Sequence, residues 1–85
     1  MAHPDVIEAK VIGELELQVA FADGLEGKVQ FRQRFLQGPL AALRDPDLFF
    51  QVAVEDGAIL WPGGIELNID PLYEAILRDG VWIGE

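Results

Sequence analysis

The chain has 85 residues, 51% of them hydrophobic, and a formal net charge of -9. That size fits one domain (residues 1–85) with a real core, and the charge repels nucleic acid and anionic membrane, so a nucleic-acid partner is not expected. It contains no serine, threonine or cysteine and a single histidine, His3. Disulfides, thiolate metal sites and hydroxyl or thiol nucleophiles on those side chains are therefore excluded.

No apolar run approaches the roughly 20 residues that span a bilayer, so no membrane segment is expected. Met1-Ala2-His3-Pro4-Asp5 shows no basic region followed by an apolar stretch, and the expectation is a cytoplasmic protein.

Val6 to Gly13 is rich in β-branched residues and reads as a first strand, with Ile7, Ala9 and Val11 on one face. Leu15, Leu17, Val19 and Phe21 then alternate with Glu14, Glu16, Gln18 and Ala20, the clearest period of two in the chain. Gly27, Val29 and Phe31 alternate with Lys28, Gln30 and Arg32 in the same way.

Parity selects the turn between these runs. A two-residue loop at Asp23-Gly24 would set Val19 opposite Lys28, an inward residue against an outward one. A three-residue loop with Gly24 left-handed pairs Phe21 with Leu25, Val19 with Gly27 and Leu17 with Val29. It also sets Gln18 by Lys28 and Glu14 by Arg32 on the wet face.

Pro39 to Arg44 reads as a short helix closed by Asp45-Pro46. Phe50, Val52 and Val54 alternate as a fourth strand. Asp56-Gly57 turns the chain, and Ala58 to Trp61 returns as a fifth. A bend at Pro62-Gly63-Gly64 leads to a brief extended piece, Ile65 to Leu67. The last helix has Asp70 as its expected N-cap, Pro71 in its first position and Gly80 as its stop. Ile69, Leu72, Tyr73, Ile76 and Leu77 form its apolar stripe. The apolar tail Val81-Trp82-Ile83 either docks on the body or meets another chain.

The expected fold is α+β: a small antiparallel β-meander of about five strands, with the C-terminal helix and the short middle helix packed on one face. The order and spacing of several pieces resemble the bacterial family called domain of unknown function 2442. They are Leu17-x-Val19-x-Phe21-x-Asp23-Gly24; Gly38 with Leu40, Leu43 and Asp45; and Phe49 or Phe50 leading into Val52-x-Val54. Ile59-x-Trp61-Pro62-x-Gly64-Ile65-x-Leu67 follows, with Asp70, Leu72 and Tyr73. Where this chain has Gly63 the family often has asparagine or aspartate, a difference that touches a turn.

The resemblance implies an α+β meander with a helix on one face and carries over no catalytic residue. Some relatives add a helix-turn-helix DNA-binding domain, which is not expected here. Others stand alone, sometimes encoded beside a second small protein.

Few residues offer chemistry. Gly63-Gly64 lacks the lysine and run of amide donors of a phosphate loop, and Pro62 removes one donor, so a structural turn is expected. Gly24 and Gly57 are turn glycines with Asp23 and Asp56 beside them. Asp45, Asp47, Glu55 and Asp56 lie in turns where water equalises carboxylates, which does not suit acid-base work. Lys28, Arg32 and Arg34 are expected to form ordinary salt bridges rather than an anion site. His3 near Asp5 lies in a frayed terminus, and no metal or cofactor is expected.

Two expectations for function remain. The first is a non-enzymatic protein-interaction or oligomerisation module, a homodimer or one that binds a small partner protein, with Val81, Trp82 and Ile83 at the interface. The second is a small-ligand sensor with a pocket between helix and sheet lined by Phe35, Trp61 and Tyr73.

Overall fold

The structure, a computed structural model, describes residues 4–85. His3 lies outside the described residues. In chain order the elements are β1 (Val6–Gly13), β2 (Glu16–Phe21), β3 (Glu26–Phe31), α1 (Pro46–Phe49), β4 (Ala53–Glu55), β5 (Ala58–Trp61), β6 (Ile65–Leu67), α2 (Ile69–Asp79) and β7 (Val81–Gly84).

The fold is α+β, but its seven strands form two sheets rather than one five-stranded meander. The first sheet has the order β1-β2-β3-β7 and the second β4-β5-β6. Gly38, Pro39 and Pro46 interrupt the chain between β3 and β4 and prevent a continuous meander. After β6, α2 crosses back and delivers β7 parallel to β3. The apolar tail therefore docks on its own chain as a strand.

The β2–β3 hairpin has the register that parity selects: Leu17 opposite Val29, Gln18 opposite Lys28, Val19 opposite Gly27. Phe21 N–H donates to the Leu25 carbonyl at 2.8 Å, Gly24 N–H donates to the Phe21 carbonyl at 3.0 Å, and Gly24 is left-handed at φ 94°. Leu17, Val19, Phe21, Val29 and Phe31 enter one core with Ile59, Trp61, Ile65 and Leu67 of the second sheet and Leu72 and Ile76 of α2.

Other expectations shift. Pairing irregularities between Val6 and Glu8 and between Val11 and Gly13 break the parity of β1. Val6 is consequently buried while Ile7 is 63% exposed. Leu15 leaves the strand at φ 55°, so Glu14 sits in a turn and β2 first pairs through Glu16 and Gln30.

The middle helix is 3₁₀ over Gly38–Arg44, with Pro39 in its first turn. Asp45 does not merely close it. Held extended before Pro46, Asp45 accepts from the Asp47 N–H at 3.0 Å and so caps α1. The fourth strand shrinks to Ala53–Glu55 because Phe50 and Gln51 complete α1 through bonds to the Pro46 and Leu48 carbonyls.

Asn68, not Asp70, caps α2: its side chain accepts from the Asp70 N–H at 3.1 Å, which makes Ile69 the first helical residue and Pro71 the third rather than the first. Gly80 ends α2 in the left-handed region at φ 80°. Leu77 lies off the buried stripe and is 64% exposed.

The two sheets meet where β1 begins. Val6 N–H donates to the Gly57 carbonyl at 3.1 Å, and Ala22 N–H donates to the Asp5 carbonyl at 2.8 Å. The Asp56-Gly57 turn thus serves as a joint between the sheets.

Candidate functional site

Phe31 is the hub of an aromatic cluster. Its ring stands 6.1 Å from Phe35, 5.9 Å from Phe49, 6.4 Å from Trp61 and 5.7 Å from Trp82, centroid to centroid. Phe35 and Trp82 meet edge to face at 5.5 Å, and Phe49 stacks on Trp61. Trp61 is buried, and its indole N–H donates to the Phe49 carbonyl at 2.9 Å, so its polar atom is satisfied by its own chain.

Tyr73 lies apart from Phe35 and Trp61. Its ring meets Phe21 edge to face at 5.0 Å, and its hydroxyl donates to Asp23 Oδ2. That bond, with the one Leu25 N–H gives to Asp23, lowers the Asp23 pKa, and the bond to Asp23 raises that of Tyr73. The pair fastens α2 to the tip of the β2–β3 hairpin. Phe35, Trp61 and Tyr73 therefore line no common cavity among those described.

A groove of about 560 Å³ opens elsewhere, between the end of β1 and α1. Val11, Ile12, Leu15, Pro46, Phe49 and Phe50 form its apolar walls, with Gln33, Arg44 and Glu14 as its polar groups. Arg44 Nη2 donates to the Gln33 carbonyl at 3.0 Å, which fixes the guanidinium on the groove wall. Phe50 is 72% exposed. In the sequence the groove is hidden because Phe50, Val52 and Val54 alternate like an ordinary strand. The Phe49-Phe50 doublet was the available signal, since an alternating strand buries only one of two neighbours.

Val81, Trp82 and Ile83 are brought together as β7. Trp82 turns under the sheet into the aromatic cluster, and Val81 and Ile83 project from the opposite face beside Lys28 and Gln30. The Gly80 and Gly84 carbonyls accept from the Lys28 and Arg32 N–H groups at 3.2 and 2.9 Å. Alternation then directs the N–H and C=O of Val81 and Ile83 away from β3, toward a side where no described strand pairs.

The remaining candidates are turns or solvated charges. Gly63 and Gly64 are left-handed at φ 94° and 80°, in the connection from β5 to β6, and Gly57 lies against Asp5. Lys28, Arg32 and Arg34 are exposed, and Glu16 accepts from Gln30 at 2.6 Å rather than pairing with a cation. Among the described residues no group of three or more His, Cys, Asp or Glu is arranged to hold a metal. No helix among them is long and apolar enough to cross a membrane.

The geometry defines a small two-sheet α+β domain with an aromatic cluster beneath a free sheet edge. The chain belongs to the family described as Protein of unknown function (DUF2442), whose model matches residues 6–78. No curated protein and no solved structure matches it.

Proposed function

We propose that this chain is a non-enzymatic protein-interaction module that binds by strand addition at the outer edge of β7. The observation that carries this reading is the pairing pattern: Val81 and Ile83 each hold a backbone donor and acceptor toward an unpaired side. Such an edge is a template for another strand, and natural edges meant to stay single carry proline, charge or a bulge. Val81-Trp82-Ile83-Gly84 carries none of these.

Trp82 anchors the strand from below, so an incoming strand meets a rigid partner. The chain's lack of Ser, Thr and Cys is consistent with a binding role. Sedimentation and pull-down from the native cell, comparing the wild type with Ile83→Lys, test it. The wild type associates with itself or a partner protein, and Ile83→Lys loses that association while keeping its melting temperature. Association unchanged by the lysine overturns the reading.

The groove supports a second reading, a sensor for a small molecule with an apolar body and a carboxylate. Its volume lies within the range of small-molecule pockets, roughly 300–1,000 Å³. The Arg44 guanidinium keeps donors beyond the one given to Gln33, enough for a carboxylate. Thermal shift with decanoate against decanol separates the two ligand ends. Stabilisation by decanoate that Arg44→Gln abolishes supports this reading; equal response to both ligands, or to neither, removes it.

A further inference from the structure

We infer that the strand completing the β7 edge is that of a second copy of this chain, antiparallel and related by a two-fold axis at Trp82. The inference rests on the reading of that edge as the contact surface. Its first support is self-complementarity. With Trp82 opposite its symmetry mate, Val81 of each chain faces Ile83 of the other, and these are the residues whose backbone groups point outward. Each such pair exchanges both N–H to carbonyl bonds, so the whole outward set is satisfied in one register.

Neighbouring registers do worse. Centring the axis on Val81 sets Ile83 against Asp79, the last residue of α2, which is helical. Centring it on Ile83 sets Val81 against Glu85, beyond the end of β7.

The side chains agree. Val81 and Ile83 lie on one face and would form two apolar cross-strand pairs where Ile83 is now 38% exposed. Trp82 is half-buried against Phe31 and Phe35 and would meet its mate across the axis, extending the aromatic cluster through both chains. Tryptophan at the centre of a contact is the usual anchor.

Charge fits a second copy as well. Lys28, Arg32, Arg34 and Arg78 are four of the six basic residues, and they lie on or next to β3 and β7. The acids in those same stretches are Glu26, Asp79 and Glu85, in a chain with 15. This side escapes the acidic excess of the rest, so two copies approach there with least repulsion.

The chain lacks cysteine, which makes the register directly readable. Val81→Cys and Ile83→Cys are prepared separately, then each alone and an equal mixture are exposed to oxidised glutathione. Facing residues of an exchanging pair have Cα atoms about 5.5 Å apart, within disulfide reach, whereas like residues lie on a diagonal of about 7–8 Å, beyond it. The mixture should therefore give about tenfold more covalent dimer than either variant alone.

Equal yields in all three samples, or none in any, overturn self-pairing. The wild type supplies an independent check: hydrogen exchange at the Val81 and Ile83 amides slows with protein concentration, and a rate that ignores concentration also overturns it. Failure here with a partner protein still lost in Ile83→Lys leaves the edge reading standing. Failure in both removes both.

Discussion

Gly27 lies directly beneath Ile76: a Cβ built on Gly27 would run into the Ile76 side chain and come 2.8 Å from the Gly80 carbonyl. The glycine lets α2 settle on β3, which in turn brings Val81 beside Lys28 and creates β7. Gly27→Ala should destabilise the fold by about 1–3 kcal/mol through overpacking. That lowers the melting temperature by roughly 4–8 °C per kcal/mol in a domain of this size. Ile76→Ala removes both γ carbons that the added methyl would meet, so the double variant should cost less than the sum of the singles. Strict additivity in thermal melts would show that the two do not meet.

Trp61→Phe keeps most of the ring but removes the indole N–H that Phe49 accepts from. The loss leaves a buried carbonyl without that donor, a cost of about 1–3 kcal/mol. Trp61→Ala also empties the aromatic site and should cost about 3–5 kcal/mol. Urea unfolding resolves the two; a Trp61→Phe midpoint equal to that of the wild type would mean that the indole N–H contributes nothing beyond packing.

The hairpin is legible in the sequence because its two runs alternate strictly and parity allows only one loop length, which sets Leu17 against Val29. The α2 stop was legible for a similar local reason, a left-handed glycine after an amphipathic stripe. What sequence could not supply is long-range. That β7 pairs with β3 depends on the length and tilt of α2, neither of which leaves a mark in Val81-Trp82-Ile83 itself. The irregularity that exposes Ile7 is set by how β1 meets both β2 and Gly57. Asn68 and Asp70 are both good caps, and only the helix start chooses between them. Of the three residues expected at a ligand pocket, Trp61 is sealed in the core and Tyr73 is drawn off to Asp23, while the groove opens near Phe50.

The Tyr73–Asp23 bond makes a prediction in pH. Asp23 has a folded pKa below its ordinary value of 3.8, chiefly because the Tyr73 hydroxyl donates to its charged form. Its contribution to stability is present above 3.8 and is lost as pH falls through the lower, folded value. Tyr73 is raised above 10.0, so its contribution is present below 10.0 and is lost as pH rises through the folded value. In Tyr73→Phe the Asp23 carboxyl should titrate at higher pH, as followed by carbonyl NMR shifts. An Asp23 titration that does not move would show that the backbone N–H of Leu25 alone sets it.

Salt should strengthen self-association. Each chain carries -9, and the paired edges bring Asp79 opposite Glu85 of the mate. At 0.1 M salt the repulsion between exposed charges more than about 10 Å apart is largely screened, so moving from low salt to that level should tighten the dimer a few-fold. Sedimentation equilibrium reads this directly, and weaker association at higher salt would mean that opposite charges hold the contact.

Proline separates the two sides of β7. Ile83 directs its N–H outward, so Ile83→Pro removes no bond to β3, and proline is tolerated on the free side of edge strands. Trp82 and Gly84 direct theirs inward, so Gly84→Pro deletes a ladder bond and also places ring atoms against Phe35, which lies about 3.0 Å from where a Gly84 Cβ would sit. Ile83→Pro should therefore retain cooperative melting close to the wild type while losing self-association, and Gly84→Pro should lose both. If Ile83→Pro melts as early as Gly84→Pro, the outward side of β7 is not free, and the strand is held there by contacts within its own chain.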